Sequence, residues 1–67
     1  MLYIYTKKDC EACSQYIEYC NMIGNYYEIR DVSRLDNPID IIDKEALKIG
    51  VINSMQLPIV IDYKSIN

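Results

Sequence analysis

Thr6-Lys7-Lys8-Asp9-Cys10-Glu11-Ala12-Cys13 is the stretch on which the reading of this chain turns. It lies between a short β-like run, Leu2-Tyr3-Ile4-Tyr5, and a longer segment of helical periodicity. Two cysteines with two residues between them, just after a strand and at the mouth of a helix, form the pattern of a redox pair. The helix start supplies the physical reason. Its unpaired backbone N–H groups and positive dipole end favour an anion, and so would stabilise Cys10 as the thiolate. The thiolate, not the thiol, attacks disulfides. Lys7 and Lys8 add positive charge close by, and Asp9 and Glu11 partly cancel it. Cys13 is near enough to resolve a mixed disulfide formed at Cys10.

Two other readings of the pair stay open. The cysteines are small apolar residues that could simply lie near a helix start, in an interaction module with little turnover. They are also metal ligands by type. A tetrahedral zinc or iron–sulfur site wants four ligands, and the chain has no histidine. A metal site would therefore need two copies of the motif in a dimer.

Working outward, Cys13, Tyr16, Ile17, Cys20 and Ile23 recur at spacings of three and four, the mark of one helix face over Glu11 to Ile23. Asp9 or Cys10 suits its N-cap, and Gly24 suits the left-handed residue that ends it. Cys20 reads either as a buried core residue or as a regulatory or intermolecular thiol. Leu2 to Tyr5 reads as a buried central strand and Tyr26 to Arg30 as a second strand. Asp31 to Asn37 is polar and loop-like. Asn37-Pro38 predicts the opening of a second helix. Its inward face is Ile39, Ile42, Ala46 and Ile49, widened by Ile41 and Leu47, and Gly50 ends it. Pro58 to Ile61 reads as a third strand starting at its proline. Asp62 to Lys64 is a turn, and Ser65-Ile66-Asn67 leaves room for a short fourth strand. The order is β-α-β-α-β-β, with the first two strands parallel through a right-handed crossover and the last two a hairpin.

Sixty-seven residues make one domain, residues 1–67. A chain this short buries only about 60% of its unfolded surface, so modest stability is expected. The net charge of −3 gives no basic footprint, which argues against nucleic acid or an anionic membrane as the main partner. No apolar run approaches the ~18 residues of a membrane span, and no signal-peptide pattern opens the chain. Three cysteines, an odd number, fit a secreted disulfide framework poorly. A reducing, cytoplasmic location is expected.

Cys-x-x-Cys after the first strand, with Leu57-Pro58 opening the third, resembles the thioredoxin fold. Ile4-Tyr5-Thr6-Lys7-Lys8-Asp9-Cys10 and Glu28-Ile29-Arg30-Asp31-Val32 look most like glutaredoxins and small glutaredoxin-like redoxins. The resemblance covers Leu2 to Asn67. It implies a minimal thioredoxin-like α/β fold with a four-stranded mixed sheet, lacking the usual C-terminal helix. It also implies a thiol–disulfide oxidoreductase in which Cys10 is the nucleophile and Cys13 resolves. Pro58 would be cis and face the cysteines. The backbone of Leu57 would then pair with an extended substrate peptide, and Lys7 matches the family lysine that meets a glutathione carboxylate.

The departures are specific. Glu11 and Ala12 replace the proline and tyrosine usual between the cysteines, Gln56-Leu57-Pro58 replaces threonine-valine-proline, and the glycine pair after the last strand has no counterpart. The expected substrate is thus a protein disulfide rather than glutathione, with a thiol reductant or reductase as the second partner and no bound cofactor. Electron supply to a reductive enzyme such as ribonucleotide reductase is one role the resemblance implies. Glu11 opposes the thiolate and should make the pair reducing. The sheet face bared by the missing helix would be covered by a second copy or by a partner protein.

Overall fold

A computed structural model describes residues 1–64. It is a small α/β unit of two helices on a three-stranded mixed sheet. The chain runs β1 (Leu2–Thr6), α1 (Glu11–Ile23), β2 (Tyr27–Asp31), a 3-10 turn (Val32–Asp36), α2 (Ile41–Ile52) and β3 (Ile59–Asp62). The strand order is β2-β1-β3. β1 is the centre, parallel to β2 and antiparallel to β3. The fourth strand expected over Ser65 to Asn67 lies outside the described residues. Among those described, no helix is long and apolar enough to cross a membrane.

Register and the two-residue strand period sort the side chains between the faces. Tyr5 stands between Arg30 and Ile59, and Tyr3 between Glu28 and Ile61. These residues face α2, where Tyr5, Leu35, Ile42, Ala46, Ile59 and Ile61 form the buried core. Fully burying one such Ile or Leu side chain is worth about 1.5–3 kcal/mol, so this layer carries most of the packing. Ile4 stands between Ile29 and Val60 on the opposite face, the side of α1 with its buried Cys13 and Cys20. That face is thinner, and Ile29 is 51% exposed.

α1 occupies the expected residues for the expected reasons. Cys10 is its N-cap, and Gly24, at φ 73°, is the left-handed residue that closes it. Past Gly24 the Asn25 N–H returns to the Cys20 carbonyl at 3.1 Å. Ile23, expected on the inward face, is exposed because the chain turns away at the next residue.

The second half corrects the sequence reading in four places. The segment expected as a loop after Asp31 is a 3-10 turn. Asp31 caps it by accepting the Ser33 N–H at 2.8 Å, while Leu35 is buried and Val32 packs on the core. The second helix opens at Asp40, whose carboxylate accepts the Asp43 N–H at 2.8 Å, rather than at Asn37-Pro38. Its inward face is therefore Ile42, Asp43, Ala46 and Gly50, with Leu47 and Ile49 packed on the core beside them as expected. Ile39 and Ile41 point outward, 73% and 61% exposed, with the Ile39 N–H tied to Asp43. Finally, Gly50 does not end the helix, which runs on to Ile52. Beyond it, Ser54 and Met55 both have left-handed φ, 56° and 55°, at a cost on the order of 1 kcal/mol each. β3 then begins at Ile59, one residue after the expected proline.

Candidate active site

β1 ends at Thr6, and the chain must reverse within four residues to enter α1. Asp9 makes the reversal at φ 62°, a conformation that Asp tolerates better than most residues. Cys10 is thereby delivered in extended conformation to the cap position, φ −96° and ψ 102°. Its Sγ accepts the backbone N–H of Cys13 at 3.2 Å, one of the donors that the first helical turn leaves unpaired. Its carbonyl takes the Ser14 N–H at 3.1 Å and the Ser14 hydroxyl at 3.3 Å.

Cys10 and Cys13 are joined by a disulfide, with Cα atoms 5.3 Å apart, inside the usual range for such a bridge. The two residues differ in exposure. Cys13 is buried at 2% exposure and Cys10 is half-buried. An open depression of about 460 Å³ lies over them, lined also by Lys7, Glu11 and Ile17. Lys7, Cys10 and Cys13 are thus brought together.

Leu57 and Pro58 do not line that depression. The register sets their place. Tyr5 pairs with Ile59, the first residue of β3, so Leu57 and Pro58 lead into the sheet at the end from which the cysteine turn departs. The Leu57–Pro58 peptide is cis, as the resemblance implied. The Leu57 side chain packs against the α2-side core. Cys20 is fully buried and unbridged, seven residues along α1 from Cys13.

What the sequence reading missed is the support under the turn. Tyr5, the residue before Thr6, sends its hydroxyl to the Asp43 carboxylate at 2.5 Å. Asp43 is 0% exposed. It also accepts from Arg30 Nη1 and Arg34 Nε, both at 3.0 Å, and from the Ile39 N–H at 3.2 Å. Arg30 reaches Asp40 and Glu28 as well, and lies over the Tyr3 ring with 4.8 Å to its centroid. Burial alone would raise the Asp43 carboxyl. The Arg34 guanidinium, the Tyr5 hydroxyl and the Ile39 N–H outweigh it and hold that carboxyl far below the usual carboxylate range. Burial, with the Asp43 hydrogen bond, pushes Tyr5 up to about 12. The sequence signal was an acidic residue in a helix's first turn, which reads equally well as a solvated partner of the dipole.

Among the described residues, no group of three or more His, Cys, Asp or Glu side chains is placed to hold a metal ion within one chain. Comparison with protein-family models, curated proteins and solved structures finds no match to this chain.

Proposed function

We propose that this chain is a glutaredoxin-like dithiol–disulfide oxidoreductase on a minimal thioredoxin-like fold, acting on protein disulfides. The observation that carries the reading is the Cys10–Cys13 bridge at the mouth of α1, with the Cys13 N–H aimed at Cys10 Sγ. The same N–H and the helix dipole would stabilise a Cys10 thiolate once the bridge is reduced. Cys10 is the more exposed residue of the two, so it is the one offered to a substrate, and buried Cys13 is left to resolve.

The chemistry balances in two exchanges. The Cys10 thiolate attacks one sulfur of the substrate disulfide, forming a Cys10–substrate bond and releasing the other substrate sulfur as a thiolate that takes up a proton. Cys13 then loses its proton and attacks Cys10 Sγ. The second substrate thiol leaves, and the Cys10–Cys13 bridge returns. Two electrons and two protons pass from the dithiol to the substrate, and a thiol reductant or reductase restores them. Lys7 contributes positive charge at the rim, and the main chain of Leu57 beside Pro58 offers an edge on which an extended peptide can pair. A cytoplasmic location suits a reducing pair.

Equilibration of metal-free protein against defined thiol buffers tests the proposal. A reversible two-electron couple near thioredoxin's, roughly −270 mV, is expected. Absence of any such couple would remove disulfide exchange as the function and leave the cysteines to metal binding.

A further inference from the structure

Gly50 is buried inside α2, where a glycine has no conformational reason to be. Space is the reason. A Cβ there would overlap Met55 Sδ and lie 3.1 Å from Ile59 Cδ1. The Met55 N–H also donates to the Gly50 carbonyl at 2.6 Å. Met55 is thus seated on Gly50 by side chain and main chain together. It is nonetheless 42% exposed, so core burial does not account for it.

The seat also explains the backbone around it. Ser54 and Met55 are consecutive left-handed residues, neither of them glycine. Such a pair persists only where its surroundings over-determine it. The Gln56 N–H closes the turn on the Asn53 carbonyl at 3.3 Å. Two residues after Met55 comes Leu57, and four after it comes Ile59, which pairs with Tyr5. The contact between Gly50 and Met55 therefore bears on where the main chain of Leu57 passes on its way to the end of the sheet, where β3 begins.

We infer that Met55, seated on Gly50, is a positioning residue for extended peptide disulfides. It holds the Leu57 main chain where a substrate backbone pairs, and takes no part in the chemistry at Cys10. The inference rests on the disulfide-reductase reading above.

Steady-state kinetics with two oxidised substrates test it: a peptide bearing a disulfide in an extended segment, and bis(2-hydroxyethyl) disulfide, which has no peptide backbone to pair. Met55→Ala and Gly50→Ala should each raise KM for the peptide by roughly three- to tenfold, the loss expected from a weakened backbone hydrogen bond. Peptide kcat and both constants for the small disulfide should stay at the wild-type values. An unchanged peptide KM in Met55→Ala, or equal losses on both substrates, overturns the inference while the reductase reading stands. Met55→Ala adds no bulk, so the test holds even if Gly50→Ala fails to fold. A wild-type protein inert toward both substrates overturns the reductase reading, and the inference with it.

Discussion

The hydroxyl of Tyr5 donates to the carboxylate of Asp43 across 2.5 Å, tying the central strand to α2 at the residue before the cysteine turn begins. Asp43 is fully buried, and Arg30 and Arg34 balance its charge. A buried ion cluster is not in itself a source of stability, but breaking one strands a charge. The turn that carries Cys10 is therefore anchored through a set of groups that must stay together.

Asp43→Asn should accordingly cost ~1–3 kcal/mol, because it weakens the charge-assisted hydrogen bonds to a buried acceptor while Arg30 keeps Glu28 and Asp40. That is a large share of the stability a small domain has. Glu28→Gln is the contrast. Glu28 meets Arg30 at 2.6 Å but its side chain is 46% exposed, so the change should stay within ~1 kcal/mol. Urea unfolding followed by circular dichroism reads both values. Equal small effects would show that Asp43 is not the hub.

The same pair predicts a stability profile limited at both ends of the pH scale. Tyr5 is pushed up to about 12 when folded, against about 10 when unfolded. A raised value favours the protonated phenol in the folded state. Its contribution is complete below about pH 10 and is lost as pH rises toward about 12. Asp43 is held low, so its contribution is complete above its unfolded value of about 3.9 and is lost as pH falls below that. Urea midpoints against pH should show both limbs, and Tyr5→Phe should flatten the alkaline one. An alkaline limb unchanged in Tyr5→Phe would assign it to other groups.

At the cysteines, Cys13→Ser should trap substrate. With the resolving thiol gone, the Cys10–substrate disulfide has no internal exit, and mass spectrometry should find an adduct that a strong thiol reductant releases. Cys10→Ser should form no such adduct. An adduct on Cys13 in the Cys10→Ser protein would reverse the assigned roles.

Cys20 should behave as a core residue. It is fully buried on α1, so Cys20→Ala should cost on the order of 1 kcal/mol for the small cavity and leave the Cys10–Cys13 couple unchanged. A shifted couple would instead make Cys20 part of the redox chemistry.

The first half of the chain was legible because its determinants are local. The short apolar and aromatic run of β1, the three-and-four spacing of α1, the cysteine at its cap and Gly24 at its end all act within a few residues of where they stand. The second half was not, because its determinants act across the fold. Asp43 carries no local sign of burial, since Arg30 and Arg34, which pair with it, lie 13 and 9 residues away in sequence. That network pulls Asp43 inward and moves the helix start to Asp40, and with it the inward stripe away from Ile39 and Ile41. Gly50 looked like a terminator since sequence carries no sign that Met55 returns to sit on it. At the site, Lys7, Cys10 and Cys13 line one depression, while Leu57 and Pro58 stand at the same end of the sheet without lining it.

Glu11 sets the last expectation. It is the first residue of α1, exposed, and lines the depression over the bridge. Its carboxylate there opposes negative charge on Cys10, whereas the N-terminal dipole and the Cys13 N–H favour it. Removing the carboxylate should therefore stabilise the thiolate. Glu11→Gln should alkylate faster at Cys10 at low pH, and its bridge should be easier to reduce. For an exposed charge the rise in potential should be small, roughly 5–20 mV. Salt separates this from a packing effect. Screening shortens from about 10 Å at 0.1 M to about 3 Å at 1 M ionic strength, so the gap between wild type and Glu11→Gln should close at high salt. A gap that persists at 1 M salt would assign the effect to local structure. No gap at low salt would remove Glu11 from the control of Cys10.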